Sequence, residues 1–304
     1  MFRARASLVL LILIVSSDQV RAGAWVQSKR AYYFKLSASY FSTTREFNYR
    51  GVRLDLFEEH PAFTDAAFRD VNLKTYLEYG LSDRLTVVSD LQFKTLRSSR
   101  TALVGSGLVQ YREVVHTTGF ADLSLSLRYA LLAAPLVLSL QGGIKQPLGY
   151  EKTPSSDGPP LGSGEVDGEV HVLLGKSLYP LPFYLTIDLG YRRRGGRLHD
   201  EILYAVEAGY TAGRLLFKLA LDGLQNTTVP PDIAGQTVVN PLPGGGRALP
   251  DLIVGDQHIA KLSPALIYTL SPGLLLQAEI LHVLAGKNTL SGTTYALALI
   301  LARS

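Results

Sequence analysis

The hydrophobic and polar positions of this chain alternate with a period of two. Val71, Leu73, Thr75, Leu77 and Tyr79 fall on one side of an extended segment; Asn72, Lys74, Tyr76 and Glu78 fall on the other. Successive side chains of a strand point to opposite faces. The pattern recurs with Leu85, Val87, Leu91 and Phe93 opposite Thr86, Asp90, Gln92 and Lys94. Leu123, Leu125, Leu127 and Tyr129 likewise oppose Asp122, Ser124, Ser126 and Arg128. Leu185, Ile187, Leu189 and Tyr191 oppose Thr186, Asp188 and Arg192, and Leu215, Phe217, Leu219 and Leu221 oppose Lys218 and Asp222. Twelve such segments run over 31–42, 70–79, 85–95, 119–130, 135–145, 168–178, 183–193, 201–211, 214–224, 258–270, 274–284 and 293–303. Pro264 lies inside one of them and predicts a local irregularity, since proline removes a ladder hydrogen bond. His282 falls on an apolar face. No later stretch reaches the ~18 apolar residues of a transmembrane helix.

The connections also alternate. Short ones fall at 80–84, 131–134, 179–182, 212–213 and 271–273. Long ones fall at 43–69, 96–118, 146–167 and 225–257, with more modest ones at 194–200 and 285–292. Strict alternation of short and long is the pattern of an up-and-down meander whose two ends face different compartments. A weak repeat marks the short turns: Tyr79-Gly80-Leu81-Ser82-Asp83-Arg84-Leu85 and Tyr268-Thr269-Leu270-Ser271-Pro272-Gly273-Leu274. Tyr79, Tyr129, Tyr210 and Tyr268 hold equivalent places before their turns, as expected of an aromatic girdle at a membrane–water boundary. The bland alternative is that they cap hydrophobic strands.

Energy decides which face is wet. The polar rows carry Lys35, Lys74, Lys94, Arg128, Lys145, Arg192, Lys218 and Lys261, with Glu78, Asp90, Asp122, Glu169, Asp188, Glu207, Asp222 and Glu279. A Lys or Arg facing lipid at mid-membrane costs about 2–4 kcal/mol, an acid somewhat less. The whole set would cost tens of kcal/mol against a total stability of about 5–15 kcal/mol. These residues are therefore expected to line a lumen, and the apolar row to face lipid or a dry core. A dry core would suit a two-sheet sandwich, but a sandwich requires neither the alternating connections nor the tyrosines. The fold class read from the sequence is all-β: a transmembrane up-and-down antiparallel barrel of about 12 strands, whose closure removes the unpaired edges that lipid does not tolerate.

Composition agrees. Of 304 residues, 18% are charged and none is cysteine, which excludes disulfides, thiolate metal sites and cysteine nucleophiles. Residues 1–22 read as a cleaved secretory signal, with Arg3 and Arg5 before the apolar run Leu8 to Val15 and small residues near Ala22. Residues 23–304 then form a single barrel domain. Arg3, Arg5 and Arg21, against Asp18, take two of the four net positive charges with them, so the charge does not point to nucleic acid. Export without cysteine fits the bacterial outer membrane.

The segment Thr118-Gly119-Phe120-Ala121-Asp122-Leu123-Ser124-Leu125-Ser126-Leu127-Arg128-Tyr129 resembles a T-G-x-G-D-L-x-L-x-L-R-Y strand. That strand belongs to a broad family of bacterial outer-membrane barrels filed under the MetA pathway of phenol degradation and distantly similar to fatty-acid-transporter-like channels. Tyr79 to Leu85 and Gly23-Ala24-Trp25 also resemble it. Two departures stand out: Ala121 replaces the usual Gly, and the chain ends Leu301-Ala302-Arg303-Ser304 without a terminal aromatic. The resemblance implies a transporter-like barrel whose partners are outer-membrane lipids and the outer-membrane assembly machinery.

Other chemistry is thin. An outer-membrane lipid hydrolase would show a His-x-Ser arrangement, but none of His60, His116, His171, His199, His258 and His282 is followed two positions later by Ser. Thr118 after His116 comes nearest, in what reads as a loop. No histidines have metal-ligand spacing, the acidic stretch from Gly162 to Glu169 reads as a solvated turn, and no cofactor is implied. Arg192, Arg193, Arg194 and Arg197 form a basic tip suited either to lipopolysaccharide phosphates or simply to solvent. The lumen is the best functional candidate: signs segregated on opposite walls leave an aqueous passage, whereas pairs across the bore plug it. Gly23 to Arg30 looks too short for a plug, so a constriction is expected from 43–69 or 225–257. The function expected is an outer-membrane channel for small solutes, with a closed structural or interaction barrel and a lipid hydrolase as alternatives.

Overall fold

The computed structural model describes residues 23–58, 63–104, 109–150, 158–196, 198–228 and 256–303. The strands are β1 (Tyr32–Phe47), β2 (Arg53–Asp55), β3 (Phe63–Ser82), β4 (Leu85–Val104), β5 (Val109–Leu132), β6 (Val137–Pro147) and β7 (Asp167–Ser177). They continue with β8 (Phe183–Arg193), β9 (Glu201–Ala212), β10 (Leu215–Asn226), β11 (His258–Ser271), β12 (Leu274–Lys287) and β13 (Thr289–Arg303). Each pairs antiparallel with its neighbours, and β13 returns to pair with β1 from Tyr32↔Arg303 to Phe47↔Thr289. The wall is thus a closed twelve-strand barrel, to which β2 adds a three-residue extension on β1.

The period-two pattern becomes an inside and an outside. Leu125, Leu127, Val170, Leu189, Phe217 and Leu297 are among the many large apolar residues exposed outward. Glu78, Arg128, Thr86, Asp167 and Gln277 are buried. Tyr79, Tyr129, Tyr210 and Tyr268 all sit outward near the short turns. A second outward ring, Tyr40, Phe93, Phe120, Tyr191 and Tyr295, lies about eight residues further along the strands, roughly 27 Å at about 3.4 Å per residue. At a tilt of about 40° that is roughly 21 Å along the barrel axis, close to the apolar band of about 25 Å in transmembrane barrels.

The wall is uneven. β6 to β10 have 11 or 12 residues, near the ~9–11 needed to cross, whereas β3, β4 and β5 have 20, 20 and 24. Residues 96–118 are therefore not the long loop expected. β4 and β5 stay paired from Leu85↔Tyr129 to Val104↔Val109, and Thr118 is a strand residue bonded to Thr95 (3.2 Å). Alternation there persists with polar residues such as Ser98, Arg100 and Glu113 facing inward, which a count of apolar positions misses. The connection at 285–292 is likewise a tight turn at Asn288, with φ of 50°. A bulge between Ala260 and Lys261 accompanies Pro264. A second bulge sets Ala121 and Asp122 together opposite Gln92, and both side chains are largely buried.

Candidate functional site: the lumen

The inward charges pair along the wall. Lys74 meets Asp90, Lys94 lies 3.8 Å from Asp70, and Lys261 lies 2.8 Å from Asp222. Lys218 takes Glu207 at 3.0 Å and Glu279 at 3.9 Å. Over β5 to β9 the pairs join into one chain. Lys145 bridges Asp122 (3.2 Å) and Asp167 (2.7 Å). Arg194 links Asp167 (3.4 Å) to Glu201 (2.6 Å), and Arg192 links Glu201 (2.7 Å) to Glu169 (2.7 Å). His171 then sits between Glu169 (3.3 Å) and Asp188 (2.8 Å). Each pair joins residues of one strand, of neighbouring strands or of strands one apart, so among the described residues none of these bridges crosses the bore.

Arg128 takes Glu78 at 2.9 Å. Of the sixteen charged residues singled out by alternation, fifteen thus have a partner on the inward face; Lys35 has none within ion-pairing distance among the described residues. Asp70, Asp167, Arg194 and Glu201 join them unanticipated. Asp70 and Asp167 continue the period of Asn72 and Glu169, and that register was the available signal. The basic tip requires correction. Arg192 and Arg194 are turned inward onto carboxylates, with side chains 19% and 5% exposed, because parity places 192 inside and Glu201 opposite it in β9. Arg197 lies outside the described residues.

Residues 23–30 fold into the short-turn end of the bore against β3 to β8, where eight residues were expected to be too few for a plug, and Tyr33, Ile267, Leu275 and Ile300 are buried together on the other side. Gly23 lies against Thr186 of β8, and Ala24 packs with Val137 and Leu173 and accepts a bond from Ser139 Oγ (2.7 Å). The Trp25 ring meets Tyr184 edge-on at 6.0 Å, and its carbonyl accepts from Arg128 (3.0 Å). Gln27 donates from its backbone to Thr86 Oγ1 (2.8 Å) and from its side chain to Glu78 (2.7 Å). The strap so made crosses from β8 to β3. It fits because Gly80 has no side chain: a Cβ there would stand 1.9 Å from the Ser28 carbonyl. Nothing periodic in 23–30 announces this; the polar partners on β3, β4, β5 and β6 create the seat.

Toward the long-loop end an apolar cluster closes in. Leu56, Phe57, Ala66, Phe68, Leu96, Ala121 and Leu161 are buried together, with Phe41, Phe63, Tyr150 and Leu290 against them. Arg100 stacks 4.1 Å from the Phe63 ring centroid and pairs with Glu113 at 2.7 Å. The 43–69 connection contributes Leu56, Phe57 and Phe63, but Leu161 comes from 146–167, and most of 225–257 lies outside the described residues. Tyr150, in the same connection as Leu161, donates to Asp122 and accepts from the Gly164 N–H (2.9 Å). Burial, reinforced by the bond to Asp122, pushes its hydroxyl well above the usual tyrosine range. Against this cluster lies a cavity of about 460 Å³ lined by β1, β3, β4, β11, β12 and β13. No cluster of His, Asp or Glu suited to a metal ion occurs among the described residues.

The same architecture occurs in the COG4313 outer membrane channel from Pseudomonas putida F1, at 14% identity over 94% of this chain and 100% of that one, with a TM-score of 0.64. The chain has the fold of an outer-membrane β-barrel. More distant matches are the Ralstonia pickettii toluene transporter TbuX (10% identity, 93% and 91% covered, TM-score 0.45) and the CymD monoaromatic hydrocarbon channel (10%, 91% and 89%, 0.43). No family model matches the chain, and no curated protein matches it significantly.

Proposed function

We propose that this barrel is a constricted outer-membrane channel for small solutes. The observation that carries this reading is the direction of the ion pairs. They run along the wall and leave a compartment inside it, so the charged lining stabilises a passage rather than bridging it. In this reading residues 1–22 are a cleaved signal, the outward apolar band and its two aromatic rings meet outer-membrane lipid, and the assembly machinery inserts the barrel. The β5 segment from Thr118 to Tyr129 supports the likeness to the MetA-pathway-of-phenol-degradation barrels, with Ala121 as its departure. A second reading, a closed structural barrel, is favoured by the strap across the short-turn end.

Single-channel recording in planar bilayers tests the two. Gly80→Ala drives a methyl group into the Ser28 carbonyl and unseats the strap, while leaving the β3–β4 ladder in place. Conductance that rises in Gly80→Ala, with unchanged far-UV circular dichroism, is the expected result. Silence at every salt concentration in both the parent and Gly80→Ala establishes the closed barrel instead.

A further inference from the structure

The compartment is polarised. Phe41, Phe68, Leu96 and Leu161 line it toward the long-loop end, and Lys35 reaches it near the short-turn end of β1. The carboxylates around it already have cations: Asp70 has Lys94, Asp90 has Lys74, Asp222 has Lys261, and Glu207 and Glu279 share Lys218. The Asp70 Oδ1 that makes no hydrogen bond is sealed from the space. A cationic solute therefore finds no open carboxylate, while an anion finds Lys35. Charges attract far more strongly in a partly desolvated site than in bulk water, and the apolar wall adds the burial of a hydrocarbon body.

We propose that this compartment binds small amphipathic monoanions, a compact apolar or aromatic body bearing one carboxylate, with the carboxylate on the Lys35 ammonium and the body against Phe41, Phe68, Leu96 and Leu161. The inference rests on the channel reading of the lumen and names its solute class. A volume of about 460 Å³ lies within the usual ~300–1,000 Å³ of small-molecule sites and accommodates a single-ring acid. Unlike the paired lysines, Lys35 has no carboxylate within ion-pairing distance among the described residues, so a bound solute carboxylate is its first direct partner.

Isothermal titration of the refolded barrel in non-ionic detergent tests this with benzoate, benzyl alcohol, benzylammonium and acetate. Benzoate is expected to bind at least tenfold more tightly than the other three, since only it offers both ring and carboxylate. Lys35→Gln is expected to weaken benzoate about tenfold, or about 1.4 kcal/mol, and to leave benzyl alcohol unchanged; Lys35→Arg is expected to keep benzoate binding. If Lys35→Gln fails to refold, the benzoate to benzyl alcohol ratio of the parent and the Lys35→Arg titration decide. No benzoate binding, equal affinity for benzoate and benzyl alcohol, or an unchanged benzoate affinity in Lys35→Gln overturns the proposal. The titration needs no ion current, so a barrel that binds benzoate but never conducts refutes the channel and keeps the site.

Discussion

Replacing Glu78 by alanine removes a lumen carboxylate that holds three partners. Its Oε1 accepts from Arg128 at 2.9 Å and from the Tyr76 hydroxyl at 2.6 Å, and its Oε2 accepts from Gln27 at 2.7 Å. The Glu78 and Arg128 side chains are 0% and 4% exposed, and Arg128 also holds Gln141 (3.0 Å) and the Trp25 carbonyl. Glu78→Ala therefore strands a buried guanidinium and frees one anchor of the strap. Breaking a buried pair by removing one partner costs about 3–5 kcal/mol, a large part of a total near 5–15 kcal/mol. Arg128→Leu should cost a similar amount by stranding Glu78. The double variant contains neither charge, so its loss should fall short of the sum by about 1–3 kcal/mol. Urea unfolding in lipid vesicles, followed by far-UV circular dichroism and by the single tryptophan, Trp25, measures these terms as midpoint shifts at constant slope. Single substitutions costing less than about 1 kcal/mol, or strictly additive ones, would refute the argument that this pair is a desolvated unit seating the strap.

Two other outcomes follow from the same geometry. Leu125→Lys, on the outward face of β5, should cost about 2–4 kcal/mol of stability in a bilayer, measurable by unfolding from vesicles; a parent-like midpoint would mean that this face does not meet lipid. In the turn after β8, the Tyr191 hydroxyl and then the Arg194 N–H hold the Asp200 carboxyl below the usual carboxylate range. A lowered pKa stabilises the turn above about pH 3.9, the ordinary aspartate value, and this contribution is lost as the pH falls through the native value. Chloride-free proton titration followed by NMR should show the Asp200 carboxyl titrating below that value in the parent and shifting upward in Tyr191→Phe; no shift would sink the assignment.

The strand architecture is legible in the order of residues alone, because alternation is local: consecutive residues of an extended chain must face opposite ways whatever lies beside them. Residues 71–79 and 123–129 announce strand and face without reference to any neighbour, and the short turns at 80–84 and 271–273 set an up-and-down order. The upper halves of β4 and β5 escaped notice because they rise beyond the apolar band, where polar residues are permitted on both faces. Which charges meet depends instead on how the strands are registered in the closed barrel. Arg192 reaches Glu201 through the β8–β9 register, and Arg128 reaches Glu78 across an intervening strand. Register is a property of two chain segments at once, and barrel closure fixes it for all twelve. The seating of residues 23–30 likewise depends on Gly80, Ser139, Thr86 and Arg128 converging from separate strands, a convergence that no local pattern in those eight residues encodes.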